Sequence, residues 1–135
     1  MSDLAHATFR GVVGAMAMTG VRVFAAHAGL IRKQASGLLR SVPRERRRPV
    51  VELVHWGMGA AFGALYGLLP DSVRQRRWTG PLFGVVVWLG FDRGVAPLLG
   101  LTEAEWPKGR ERAVFVADHV LFGLVLDETR ARPRE

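Results

Sequence analysis

Four stretches of the chain are almost free of charge: residues 11–31, 50–70, 80–101 and 113–126. Polar connectors and tails separate them. Of the 19 Lys/Arg and 12 Asp/Glu side chains, only Arg22, Glu52, Asp92, Arg93 and Asp118 fall inside the four stretches. A soluble helical bundle spreads charge along every helix, on the face turned to water. Here apolar run alternates with basic connector, which is the pattern of membrane spans. The first three stretches reach the ~20 residues that a helix needs to cross a hydrocarbon core of about 30 Å. The fourth is shorter, but Arg112 and Asp127 at its ends can carry their charge outward while the helix runs on. The pattern predicts an all-α integral membrane helical bundle of one domain, residues 1–135, with four transmembrane helices over about 11–31, 50–70, 80–101 and 112–128. Turn signals stand between them at Ser41-Val42-Pro43, Pro70-Asp71-Ser72 and Trp106-Pro107-Lys108-Gly109.

The first run has an alternative. A mid-span arginine is costly, so Arg22 also fits a chain of three spans whose first helix lies in the interface. The start Met-Ser-Asp lacks a basic n-region, and the run therefore reads as a retained span rather than a cleaved leader.

The connector 32–49 has a pattern of its own. Ile31, Ala35, Leu38, Leu39 and Val42 recur at helical spacing, with Arg32, Lys33 and Arg40 off that stripe. This predicts a short amphipathic interfacial helix after the first span, followed by the basic run that holds Arg44, Arg46, Arg47 and Arg48. Anionic lipid headgroups attract such a segment. Trp78 and Trp106 sit just outside apolar runs, where indole rings favour the headgroup zone. The net charge of +7 is therefore assigned to a bilayer with anionic headgroups. No nucleic-acid fold signature accompanies it, and nucleic acid is not an expected partner. A basic protein that binds anionic lipid without spanning is the remaining alternative. Orientation stays open: connectors 32–49 and 102–112 carry ten Lys/Arg against seven in the N-terminus, connector 71–79 and the tail, too even a split for the positive-inside rule.

Within the spans, small residues recur. Gly59, Gly63 and Gly67 repeat every four residues beside Ala60 and Ala64. Helices in lipid gain little from hydrophobicity, so close approach at small residues and its dispersion contacts drive their association. This stripe is expected to be a helix–helix seam, and it continues into His55 and Glu52. The first span repeats the device with Gly11, Ala15, Met18, Arg22, Ala26 and Gly29. In the third, Asp92 is in line with Val85, Leu89 and Ala96, and Pro97 lacks the N–H that would bond the Arg93 carbonyl, predicting a kink or helix end. In the fourth, Asp118 and His119 are adjacent, about 100° apart around the axis.

Ionisable groups at bilayer depth usually face the interior and pair. Arg22 is thus expected to pair with Asp92 or Asp118, within an intramembrane polar cluster of Arg22, Glu52, His55, Asp92, Arg93, Asp118 and His119. The functional alternative is a hydrated path or ligand pocket lined by His55, Asp92 and His119. Haem ligation by His55 and His119 is a further option in a four-helix bundle, but no cofactor is expected. Cysteine is absent, which excludes thiolate metal sites, disulfides and Cys nucleophiles. There is no phosphate-binding glycine loop, no zinc-protease motif and no nucleophile elbow. The only serines are Ser2, Ser36, Ser41 and Ser72, all in polar segments. Nothing points to an enzyme.

The order of these features resembles the YagU-like inner-membrane proteins, a bacterial family of unknown biochemical function. The likeness rests on the Gly/Ala-rich first span with a basic residue, the block from His55 to Tyr66-Gly67, the run Pro97-Leu98-Leu99-Gly100-Leu101-Thr102, then Trp106, Glu111 and Asp118-His119 before a basic tail. It covers residues 8–132. Asp92 departs from it, standing where that family carries histidine, and Asp118 stands where it has glycine. The resemblance implies a small multi-pass protein of the bacterial cytoplasmic membrane. The sequence as a whole predicts an accessory or assembly subunit, or a homo-oligomer, packed through glycine-rich helix faces. The alternative is proton or small-solute permeation through His55, Asp92 and His119.

Overall fold

The computed structural model describes residues 3–31, 42–95, 97 and 108–127. Among them every regular element is helical, as the charge segmentation predicts. The elements are α1 (Asp3–His27), α2 (Arg44–Gly67), a single turn α3 (Asp71–Arg74), α4 (Thr79–Gly90), which runs on into a π-helical turn (Phe91–Val95), and α5 (Arg110–Asp127). The interfacial helix expected after residue 31, Trp106, the run 98–102 and the tail lie outside the described residues.

Helix limits differ from the apolar runs because charge does not stop a helix. α1 starts at Asp3, whose carboxylate sits in the first turn, where the helix dipole favours it. α1 ends before Gly29, which has φ of 70°. The Leu30 N–H donates to the Ala25 carbonyl at 2.8 Å and the Gly29 N–H to the Ala26 carbonyl at 3.3 Å. That is the Schellman pattern, and it needs a left-handed residue that glycine supplies most easily. Gly29, expected in the seam stripe, is instead an exposed helix stop. α2 starts at Arg44, so the stretch expected to close the basic loop forms its first turns. Arg and Glu are good helix formers. The Arg47 Nε donates to the Val42 carbonyl at 2.8 Å, and Arg48 pairs with Glu52 at 3.3 Å, one turn on. α4 widens into the π turn just ahead of Pro97, where the missing N–H predicted a break.

α1 packs between α2 and α5, and α5 between α1 and α4. Every neighbouring pair is antiparallel. Gly11 faces Gly59 and Gly63 while Ala7 faces Gly63 and Gly67; Gly14 faces Phe122; Gly84 faces His119 while Gly80 faces Gly123 and Asp127. The outer helices α2 and α4 meet through an edge contact of Tyr66 on Phe83, with ring centroids 5.2 Å apart.

Two glycine seams hold this arrangement. The α1/α2 seam is the one the Gly59-Gly63-Gly67 stripe predicts. A Cβ on Gly63 would stand 2.8 Å from the Gly11 Cα, and one on Gly67 would stand 2.7 Å from the Ala7 Cβ. The α4/α5 seam joins Gly80 and Gly84 to Gly123. A Cβ on Gly84 would lie 2.8 Å from the His119 carbonyl carbon.

The interior is small in every sense. Met18, Tyr66, Phe122 and Leu126 form the only cluster of large buried side chains among the described residues. Elsewhere the buried positions are mainly Gly and Ala, together with Asp92 and Asp118. Many large apolar side chains lie outside: Phe24 is 72% exposed and Leu53 64%. Among the described residues α1 alone is long and apolar enough to cross a membrane. α2 opens on a charged turn, α4 reaches 12 residues before the π turn, and α5 carries Arg110, Glu111, Arg112 and Asp118.

Candidate functional site

The packing register brings α1, α2 and α5 together around Arg22. Its Nε donates to the Asp118 Oδ2 at 2.8 Å, and the Asp118 side chain is fully buried. The pairing of Arg22 is thus with Asp118 and not with Asp92, because α1 lies against α5 while Asp92 sits on the π turn that continues α4, beyond α5. The Arg22 guanidinium also lies 5.4 Å from the centroid of Phe115, one turn from Asp118, within cation–π range. His55 from α2 and His119 from α5 are near enough for Arg22 to act on their charge, and the two histidines act on each other. The His119 Nδ1 donates to the Phe115 carbonyl at 2.8 Å, so the ring is oriented with Nε2 turned away from that bond. The second Asp118 oxygen, Oδ1, is buried and has no partner among the described residues.

The rest of the expected polar cluster divides into two other groups. Asp92 is buried, and its Oδ2 accepts from Arg112 at 3.3 Å, with the Arg93 Nε at 3.8 Å. The Arg112 guanidinium lies 5.1 Å from the Trp88 ring centroid. Asp92 falls on the inner stripe of Gly80, Gly84 and Trp88, whereas Leu89, expected in line with it, is 39% exposed. Glu52 stays on the surface of α2 with Arg48. Asp92 is thus paired with Arg112 and Arg93, and Asp118 with Arg22.

At the other end of the bundle the Tyr66 hydroxyl donates to the Asp127 Oδ1 at 3.1 Å, and Arg10 donates to the Val125 carbonyl at 3.2 Å. Arg10 thereby ties α1 to the last described turn of α5. Both bonds, the α4/α5 seam and the role of Arg112 were missed in sequence. Gly80 and Gly84, small residues four apart, were a readable signal for the seam. The bond between Tyr66 and Asp127 had none, since it joins residues far apart in the chain.

Arg44, Arg46 and Arg48 are exposed on the first turns of α2, at the bundle end shared with Arg93. Trp78 is 74% exposed at the opposite end. No group of three or more His, Asp or Glu side chains converges as for a metal ion among the described residues. No protein family, curated protein or solved structure matches the chain.

Proposed function

We propose that the chain is a small polytopic protein of the bacterial inner membrane, four helices deep, that serves as an accessory or assembly subunit. One observation carries this: apart from a small cluster of Met18, Tyr66, Phe122 and Leu126, the buried positions are mainly Gly and Ala with two paired carboxylates, while many Phe, Leu and Val side chains are exposed. Lipid tails tolerate such an exterior, and small-residue seams are what hold helices together in them. The motif order shared with the YagU-like proteins supports the same location. Both glycine seams are consumed within the chain, so a partner would meet the outer apolar faces rather than the glycine faces. The interior pair Arg22–Asp118 serves to cancel charge where hydration is lacking.

The test uses the natural absence of cysteine. Ser72→Cys and Lys108→Cys should react with an impermeant maleimide from opposite sides of sealed membrane vesicles, and carbonate at high pH should leave the protein in the membrane. Release by carbonate, or labelling of both positions from one side, refutes the four-span arrangement.

One observation favours a second reading, proton or small-solute permeation. The Asp118 Oδ1 is buried without a hydrogen-bond partner among the described residues, and His119, the next residue on the helix, is half-buried. Vesicles containing a pH dye decide it. Under this reading Asp118→Asn and His55→Ala lower the flux; flux equal to that of empty vesicles for the unaltered chain removes the reading.

A further inference from the structure

The two glycine seams divide the bundle into halves. In the α1/α2 hairpin a Cβ on Gly59 would stand 2.6 Å from the Ala15 Cβ, and one on Gly11 would strike the Gly59 carbonyl. In the α4/α5 hairpin a Cβ on Gly84 would strike the His119 carbonyl, and one on Gly123 the Gly80 carbonyl. Packed backbones cannot rotate out of the way, so each hairpin behaves as a rigid unit. The join between the halves is made of side chains instead. The Phe122 ring lies against Gly14, Arg10 reaches the Val125 carbonyl, and Arg22 pairs with Asp118. On the other side of the bundle α2 meets α4 at Tyr66 on Phe83. Beyond that contact the two helices line a half-open apolar groove of about 320 Å³, with Met58 and Phe62 on one wall and Phe91 and Val95 on the other. Side chains can follow a change of angle that packed backbones cannot.

The two ends of this join are unequal. At one end Tyr66 is buried, bonded to Asp127 and packed on Phe83, and the connector 68–78 links the halves there. Toward the other end the halves are tied by Arg22 and Asp118, with the Arg22 guanidinium also over Phe115. We propose that the hairpins α1/α2 and α4/α5 splay as rigid bodies about the Tyr66 end, and that the Arg22–Asp118 pair is the latch holding the far end closed. The motion is a hinge between packed units, and neither glycine seam need break. A tilt of about 15°, acting over the roughly 18 Å of helix from Phe83 to Val95, parts the far end by about 5 Å. The inference goes beyond the assembly role proposed above and does not depend on it.

Because cysteine is absent, spin labels can be placed in pairs on the full chain in lipid nanodiscs and their separation measured by pulsed electron paramagnetic resonance. Leu53→Cys with Gly94→Cys spans the far end between the halves; both positions are exposed, and a Cβ on Gly94 meets nothing within 4 Å. Phe24→Cys with Leu53→Cys lies within the first hairpin, and Gly94→Cys with Leu124→Cys within the second. Leu68→Cys with Leu82→Cys spans the Tyr66 end, again at exposed positions. With Arg22 in place the far-end pair should give one distance. Arg22→Gln should add a second, about 5 Å longer, while the other three pairs stay unchanged. Arg22→Lys keeps the charge and should shift the far-end pair less; it carries the test if Arg22→Gln loses helicity by circular dichroism. A far-end distance unmoved in both variants, or a second distance already present with Arg22 in place, overturns the latch. Equal lengthening within either hairpin overturns the rigid halves, and equal lengthening at the Leu68/Leu82 pair overturns the hinge.

Discussion

The α1/α2 seam predicts opposite outcomes for one substitution at two glycines of the same helix. At Gly57 an added Cβ meets nothing within 4 Å; at Gly63 it meets the Ala7 carbonyl oxygen, the Gly11 Cα at 2.8 Å and the Gly11 nitrogen at 3.0 Å. Alanine is favoured over glycine in a helix interior by about 1 kcal/mol, and that gain applies at both sites. Only Gly63→Ala has an opposing cost. Carbon–carbon contacts are comfortable at about 3.5–4.0 Å, so α1 and α2 must part by roughly 1 Å. A gap of that size forfeits a quarter to a half of the dispersion energy of each contact along the seam, and dispersion is what holds helices together in lipid. Overpacking of this kind costs about 1–3 kcal/mol, and the obstructing atoms here are backbone, which cannot rotate away. Gly57→Ala should therefore be neutral or up to about 1 kcal/mol more stable, with Gly63→Ala about 1–3 kcal/mol below it. The assay is reversible unfolding by sodium dodecyl sulfate titrated into mild-detergent micelles, followed by circular dichroism. Shifts of the same sign and size at the two positions would refute the seam.

Arg22→Met leaves the buried Asp118 carboxylate uncompensated and should cost about 3–5 kcal/mol in the same titration, whereas Arg22→Met with Asp118→Leu should recover most of it; no recovery means the pair is not the relevant contact. Tyr66→Phe keeps the ring contact with Phe83 but loses the bond to Asp127, for a loss of about 0.5–1.5 kcal/mol, and an unchanged midpoint counts against that bond. Arg112→Gln removes a partner whose side chain is 43% exposed, so about 1 kcal/mol or less is expected. That loss should shrink as salt rises, since exposed charges are screened, and a salt-independent loss would point to packing on Trp88 instead.

Much of the architecture was legible because it depends on local pattern. The helical class, the α1/α2 seam and the inward turn of Arg22 and Asp118 all follow from residue spacing on single helices. Helix limits were less legible: hydrophobic runs mark what a helix buries, while Asp3 and the first turns of α2 are helical without being apolar. The partners of the charges were not legible at all. Arg22 had two acidic candidates at equivalent positions along the chain, and Asp92 and Asp118 both face inward. Which one Arg22 meets depends on the order of helices around the bundle, α2–α1–α5–α4, and no spacing along one helix encodes that order. The α4/α5 seam completes this order by pressing Gly80 onto Gly123 and Gly84 onto His119 and Gly123, and it carries Asp92 to Arg112. Sequence alone determined that this chain is helical, segmented in charge, and supplied with small residues and a few interior ionisable groups. Tertiary structure decided how those groups are shared out, because an ion pair forms only where two backbones approach closely, and glycine sets where they can.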